Sequence, residues 1–184
     1  LTSSGRMSGA SSARASGFQM REHIALIANA LAAAHSGEHA EAQQALDQVF
    51  SHPMFAACRW HHWVGGCVAA YAALLRDDDA AVLRHLRAAL HVARECGYRH
   101  GPMLFLCGDM MSRLCAFALL HGVEPDIARD IAVRNQLKAP PQADGSWPWA
   151  VRVRALGTLE VEIGGTPMAS SRKESRRLLE LLGV

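Results

Sequence analysis

Cys58, His61 and His62 stand at i, i+3 and i+4, and Cys96 with His100 repeats the four-residue step. On a helix that spacing brings a thiol and an imidazole to one face, which is half of a tetrahedral zinc site. No C-x-x-C or H-E-x-x-H accompanies either group to supply the other half. Among ten histidines such neighbours arise by chance, so these residues are expected to be buried thiols beside packing or surface histidines, and no metal or cofactor is expected. Catalysis finds equally little to start from. There is no G-x-S-x-G, no G-x-x-x-x-G-K-[ST], and the run Asp77, Asp78, Asp79 suits a helix start better than a metal cluster. The chain is therefore not expected to be an enzyme.

Two groups of residues are suited to binding. Trp60, His61, Trp63 and Tyr71 share one helical stretch and are a candidate ligand or partner surface, the alternative being packing between neighbouring helices. Arg172, Lys173, Arg176 and Arg177 cluster at the start of a C-terminal amphipathic segment. Basic side chains there could contact a DNA backbone, or form a solvated face balanced by Glu174 and Glu180. Trp147 and Trp149 flank Pro148 and are expected to dock an interdomain linker.

These groups need elements to hold them. The chain has 184 residues, half of them apolar, with 19 basic and 17 acidic side chains, so no strong overall field advertises nucleic acid or membrane. The surplus is local: residues 1–150 carry 13 of each sign, the last 34 carry 6 basic and 4 acidic. The longest uncharged apolar stretch, residues 63–75, falls short of the roughly 20 residues that cross a bilayer. Without a secretory signal pattern, and with an odd five cysteines, a cytoplasmic protein without disulfides is expected.

Residues 1–17 are mostly Ser, Gly and Ala and are expected to form a flexible tail. Over residues 18–137 apolar positions recur every three or four residues between breakers, which predicts about six helices. Pro53, Pro102 and Pro125 suit helix first turns. Gly37, Asp77 and Gly122 fall at matching points of a repeat near 40 to 45 residues, each followed five residues later by Ala42, Val82 or Ile127. A stacked array of helix pairs follows, each pair leaving an apolar face for the next. Its turns resemble those of tetratricopeptide repeats. Residues 138–150, with Pro140, Pro141 and Pro148, are the expected linker. From Val151 the period changes to two, and folding back around Gly157 sets Arg152 opposite Glu162 and Arg154 opposite Glu160. Gly164 and Gly165 supply the next turn. Ser171 and Glu174 form a capping box that opens the final helix. The expected class is mainly α, a helix-pair solenoid with a short antiparallel sheet and one more helix.

The stretch Trp147, Pro148, Trp149 through Val153, followed by Leu156, Gly157, Thr158, Leu159 and then Gly164, Gly165, Thr166, Pro167, resembles the start of the OmpR-type winged-helix domain. That domain occurs in antibiotic-regulatory and MalT-like (LuxR-family) bacterial regulators. The preceding array resembles the tetratricopeptide-like arm of MalT-like proteins. The resemblance implies that residues 151–184 are the N-terminal part of a DNA-binding domain and that the array is a signal-sensing or protein-interaction arm. It implies DNA as a partner of the complete domain, and a protein effector, a small molecule or another copy as partner of the array. The base-reading helix, the wing and any nucleotide-binding module are expected in parts of a longer protein outside this sequence. A protein-interaction scaffold without DNA binding is the competing expectation.

Overall fold

The structure is a computed structural model that describes the backbone of residues 5–100, 108–154 and 160–168, and of these the side chains from residue 17 to residue 167. The chain divides into two compact units, Leu1–Ala143 and Asp144–Val184. The first is helical and the second contains a small antiparallel sheet.

Among the described residues the first unit has seven helices: α1 (Gly5–His35), α2 (His39–Ser51), α3 (Pro53–Ala57), α4 (Arg59–Leu74), α5 (Asp79–Cys96), α6 (Gly108–Leu120) and α7 (Pro125–Arg134). They pack as three pairs, α1 with α2, α4 with α5 and α6 with α7, and α4 touches both other pairs. No described helix is long and apolar enough to cross a membrane. Helix α1 begins at Gly5, so residues 5–17 are helical where a flexible tail was expected, and residues 1–4 lie outside the described residues. Ala, Met and Arg in that stretch are good helix formers, and the amphipathic segment that follows supplies a formed helix to extend.

The repeated breakers do one repeated job. Gly37, Asp77 and Gly122 all adopt positive φ, at 77°, 55° and 64°. After each, the next amide reaches back five residues: Glu38 to the Ala33 carbonyl (2.9 Å), Asp78 to Ala73 (3.1 Å) and Val123 to Ala118 (2.8 Å). This left-handed ending satisfies carbonyls that the helix leaves bare and turns the chain into the next helix. The residue five places on is buried in all three cases, at Ala42, Val82 and Ile127. Pro53 and Pro125 open α3 and α7 as expected. Pro102 lies outside the described residues. Asp78 caps α5, its carboxylate accepting from the Ala81 N–H at 3.0 Å.

Helix α4 is apolar around nearly its whole circumference, and every residue from Trp63 to Ala73 is buried. Two adjacent glycines let its neighbours close on it. A Cβ at Gly66 would lie 3.0 Å from the Ala89 Cβ on α5, and one at Gly65 would lie 3.2 Å from Val49 Cγ1 on α2. The predicted inner face of α5 (Val82, Leu86, Ala89, Leu90, Ala93) is buried throughout. On α2, Ala42, Leu46 and Val49 are buried while Ala45 and Phe50 keep partial exposure.

In the second unit β1 (Val151–Arg154), β2 (Glu160–Ile163) and β3 (Thr166–Met168) form one sheet in chain order. The register sets Arg152 opposite Glu162 and Arg154 opposite Glu160, as the alternation predicts. The pairs close as ion pairs, Arg152 to Glu162 at 3.6 Å and Arg154 to Glu160 and Glu162 at 3.2 and 3.3 Å. Gly164 and Gly165 join β2 to β3 with φ of 56° and 80°, the two positive values that a two-residue primed hairpin turn demands. The fold-back around Gly157 and the capping box at Ser171 and Glu174 lie outside the described residues.

Candidate functional site

Of the four residues expected to form a ligand or partner surface, three are in the core. Trp63 and Tyr71 are 1% exposed and His61 is fully buried, so the expected surface is corrected. Gly65 and Gly66 bring Val49 of α2 and Ala89 of α5 close to the α4 backbone, and groups from elsewhere in the chain cover the aromatic rings. Trp63 stacks on Tyr98 with centroids 5.2 Å apart. Tyr71 lies between the His35 ring at 5.2 Å and the Arg113 guanidinium at 5.5 Å. Trp60 keeps partial exposure and meets His61 edge-on at 5.1 Å.

His61 belongs instead to a group of imidazoles gathered from α1, α3 and α4. It touches His23 of α1 through the two Nδ1 atoms. His23 is also fully buried, and its Nε2 donates to the Val49 carbonyl at the end of α2 over 3.0 Å. His52, the N-cap of α3, stacks on His23 at 4.9 Å, and its Nδ1 accepts from the Met54 N–H at 3.1 Å. Phe55 of α3 stacks on His62 at 4.2 Å. Glu22 brings a carboxylate close to the group, 3.8 Å from His52 Nε2.

The hydrogens of the central pair can be counted. His23 Nε2 must carry one, because a carbonyl only accepts. The contact between the Nδ1 atoms holds one more, whichever ring owns it. A neutral pair has two hydrogens in all, so His61 Nε2 is a bare lone pair. That atom is buried and has no partner among the described residues. Burial first, and then the neighbouring His23, His52 and His62, push the His61 pKa down from 6.5 to about 4. His23 is also lowered, by burial and by His52, against the opposing pull of the Val49 carbonyl.

The spacing that suggested a metal face does not gather its members. His61 turns inward to His23, His62 turns to Phe55, and among the described residues no set of three His, Cys, Asp or Glu is placed to hold a metal. His61 was legible as a chemical residue, but His23 was missed. Its signal was position: His23, Ile27, Ala30 and Ala34 share one stripe of α1 and all are buried.

Trp147 is 4% exposed, and Trp149 donates its Nε1–H to the Asp144 carbonyl at 3.0 Å. The division between units falls after Ala143, so both tryptophans go with the sheet, and the expected linker over residues 138–150 is shared between the two units. Arg172, Lys173, Arg176 and Arg177 lie outside the described residues. Open grooves occur elsewhere on the helical unit, one between α1 and α2 and one along α5 lined by Leu83, Arg84, Arg87, His91 and Glu124. No protein-family model, curated protein or solved structure matches the chain significantly.

Proposed function

We propose that this chain is part of a bacterial transcriptional regulator of the MalT-like kind. In this reading the helix pairs are a tetratricopeptide-like, signal-sensing or protein-interaction arm, and residues 151–184 begin a winged-helix DNA-binding domain. The protein is then cytoplasmic and not an enzyme, with DNA, an effector and further copies of itself as partners. The observation that carries the reading is the three-stranded antiparallel sheet, with Arg152 opposite Glu162, Arg154 opposite Glu160 and a Gly164–Gly165 turn. A meander of this kind is what the resemblance implies immediately before a recognition core. The effector belongs in the grooves beside α2 and α5, since Trp63 and Tyr71 of α4 are occupied by packing.

The test uses the full-length protein. Selection from a random duplex library should enrich a sequence, and replacing Trp147 and Trp149 by Ala should reduce effector-dependent transcription while leaving DNA affinity intact. An unchanged response would remove the two tryptophans from signal transfer. Failure to enrich any sequence would overturn the regulator reading in favour of an interaction scaffold. That second reading is favoured by the three matching turns at Gly37, Asp77 and Gly122, which build an array whether or not DNA is bound.

A further inference from the structure

The His23–His61 pair has no place for a third hydrogen. The Nδ1–Nδ1 contact accommodates one, His23 Nε2 is committed to Val49, and every remaining route ends with a hydrogen on His61 Nε2. That atom is buried and no acceptor faces it among the described residues. A donor created there loses its bond to water and gains none. We propose that the cluster is an acid-operated latch: proton uptake by the His23–His61 pair releases α1 and the α2–α3 corner from α4.

The surroundings offer a new positive charge little relief. From α1 comes Glu22, which reaches only His52 and whose side chain is 56% exposed. From α2 the pair meets the Val49 carbonyl, already engaged. The start of α3 presents His52, itself a base, and α4 presents His62. Arg59, at the start of α4, is held by Glu95 of α5. His85 of α5 lies beyond Phe50, on which it stacks. A first proton thus raises the energy of the docked state, and a second sets like charges against each other.

The direction of the response follows from the lowered His61 value. Both states are neutral above pH 6.5, the undocked state takes up protons first as the pH falls, and the difference is complete near pH 4. At pH 5 the opened population should rise about 30-fold from His61 alone. The latch is independent of DNA binding, so it survives or fails apart from the regulator reading.

Amide hydrogen exchange followed by mass spectrometry on the whole chain tests it, at pH 7.5 and pH 5.0 with intrinsic exchange rates normalised. Residues 18–57 should lose protection at pH 5.0 at least tenfold more than residues 125–134. His61→Asn retains a donor at the Nδ1 position and cannot take up a proton, so it should reduce the pH dependence to a few-fold. If that variant does not fold, imidazole Cε1–H resonances of the unaltered protein decide. His23 and His61 titrating well below pH 6.5 supports the latch, and titration near 6.5 overturns it. Protection lost equally in both segments also overturns it.

Discussion

Gly66→Ala is a sharp test of how α4 and α5 pack. The added methyl group would sit 3.0 Å from the Ala89 Cβ and 3.6 Å from both the Ala89 Cα and the His85 carbonyl oxygen. Optimal carbon–carbon contact is about 3.5–4.0 Å, so the methyl is roughly 0.5–1 Å too close. Ala89 cannot rotate its Cβ away, because that atom is fixed to the backbone, and relief requires moving one helix against the other. Overpacking of this kind costs about 1–3 kcal/mol, while Gly to Ala in a helix interior returns about 1 kcal/mol. The expected result is a net loss between about zero and about 2 kcal/mol, which for a chain of this length lowers Tm by up to roughly 8 °C. Urea unfolding of the variant, of Ala89→Gly and of the double variant closes a cycle. The double variant should be at least about 1 kcal/mol more stable than the two single losses imply. A Gly66→Ala protein stabilised by about 1 kcal/mol, as an exposed helical glycine would be, refutes the close approach. Gly65→Ala is the internal comparison. Its methyl would meet Val49 Cγ1 at 3.2 Å and Phe55 Cε2 at 3.3 Å, a milder overlap on side-chain atoms, so it should cost less than Gly66→Ala.

Moving from pH 7.5 to pH 5 should cost about 2 kcal/mol of unfolding free energy through His61, whose pKa falls from 6.5 to about 4 on folding. Urea titrations at the two pH values check this, and a flat profile contradicts it. Asp78→Ala removes the acceptor for the Ala81 N–H and should destabilise the protein by about 1 kcal/mol, measured by thermal melting, with Asp78→Asn nearly harmless. Burial pushes the Cys67 thiol up to about 12 and raises Cys115 as well, whereas Cys96 is exposed. Native-state alkylation at pH 8 with peptide mapping should therefore label Cys96 and spare Cys67 and Cys115.

Local signals were the legible part of the fold. Pro53, Pro125 and Asp78 begin helices, Gly37 and Gly122 end them, and the alternation in residues 151–163 fixed a strand register to the residue. Each of these is decided within a few residues by sterics or by pairing of charges. What failed needed contacts far apart in sequence. The burial of Trp63 and Tyr71 depends on partners distant in the chain, Tyr98 for the first and His35 and Arg113 for the second, which periodicity alone cannot tell. The start of α1 at Gly5 escaped because composition argues for what a segment can bury, while extending an existing helix needs only modest propensity. The imidazole cluster joins residues 38 apart, and no spacing rule links His23 to His61.

The Val49 carbonyl lies in the last turn of α2, where a helix has no amide of its own to offer. It receives His23 Nε2 from α1, and the His52 amide lies at 3.4 Å. His52 in turn starts α3 while its ring rests on His23. One imidazole from the first helix thus finishes the second and braces the beginning of the third. Helices of 13 and 5 residues are too short to persist alone in water, so these three melt as a single cooperative block. Removing the imidazole, as in His23→Ala, should then unravel helix ends nearly thirty positions downstream.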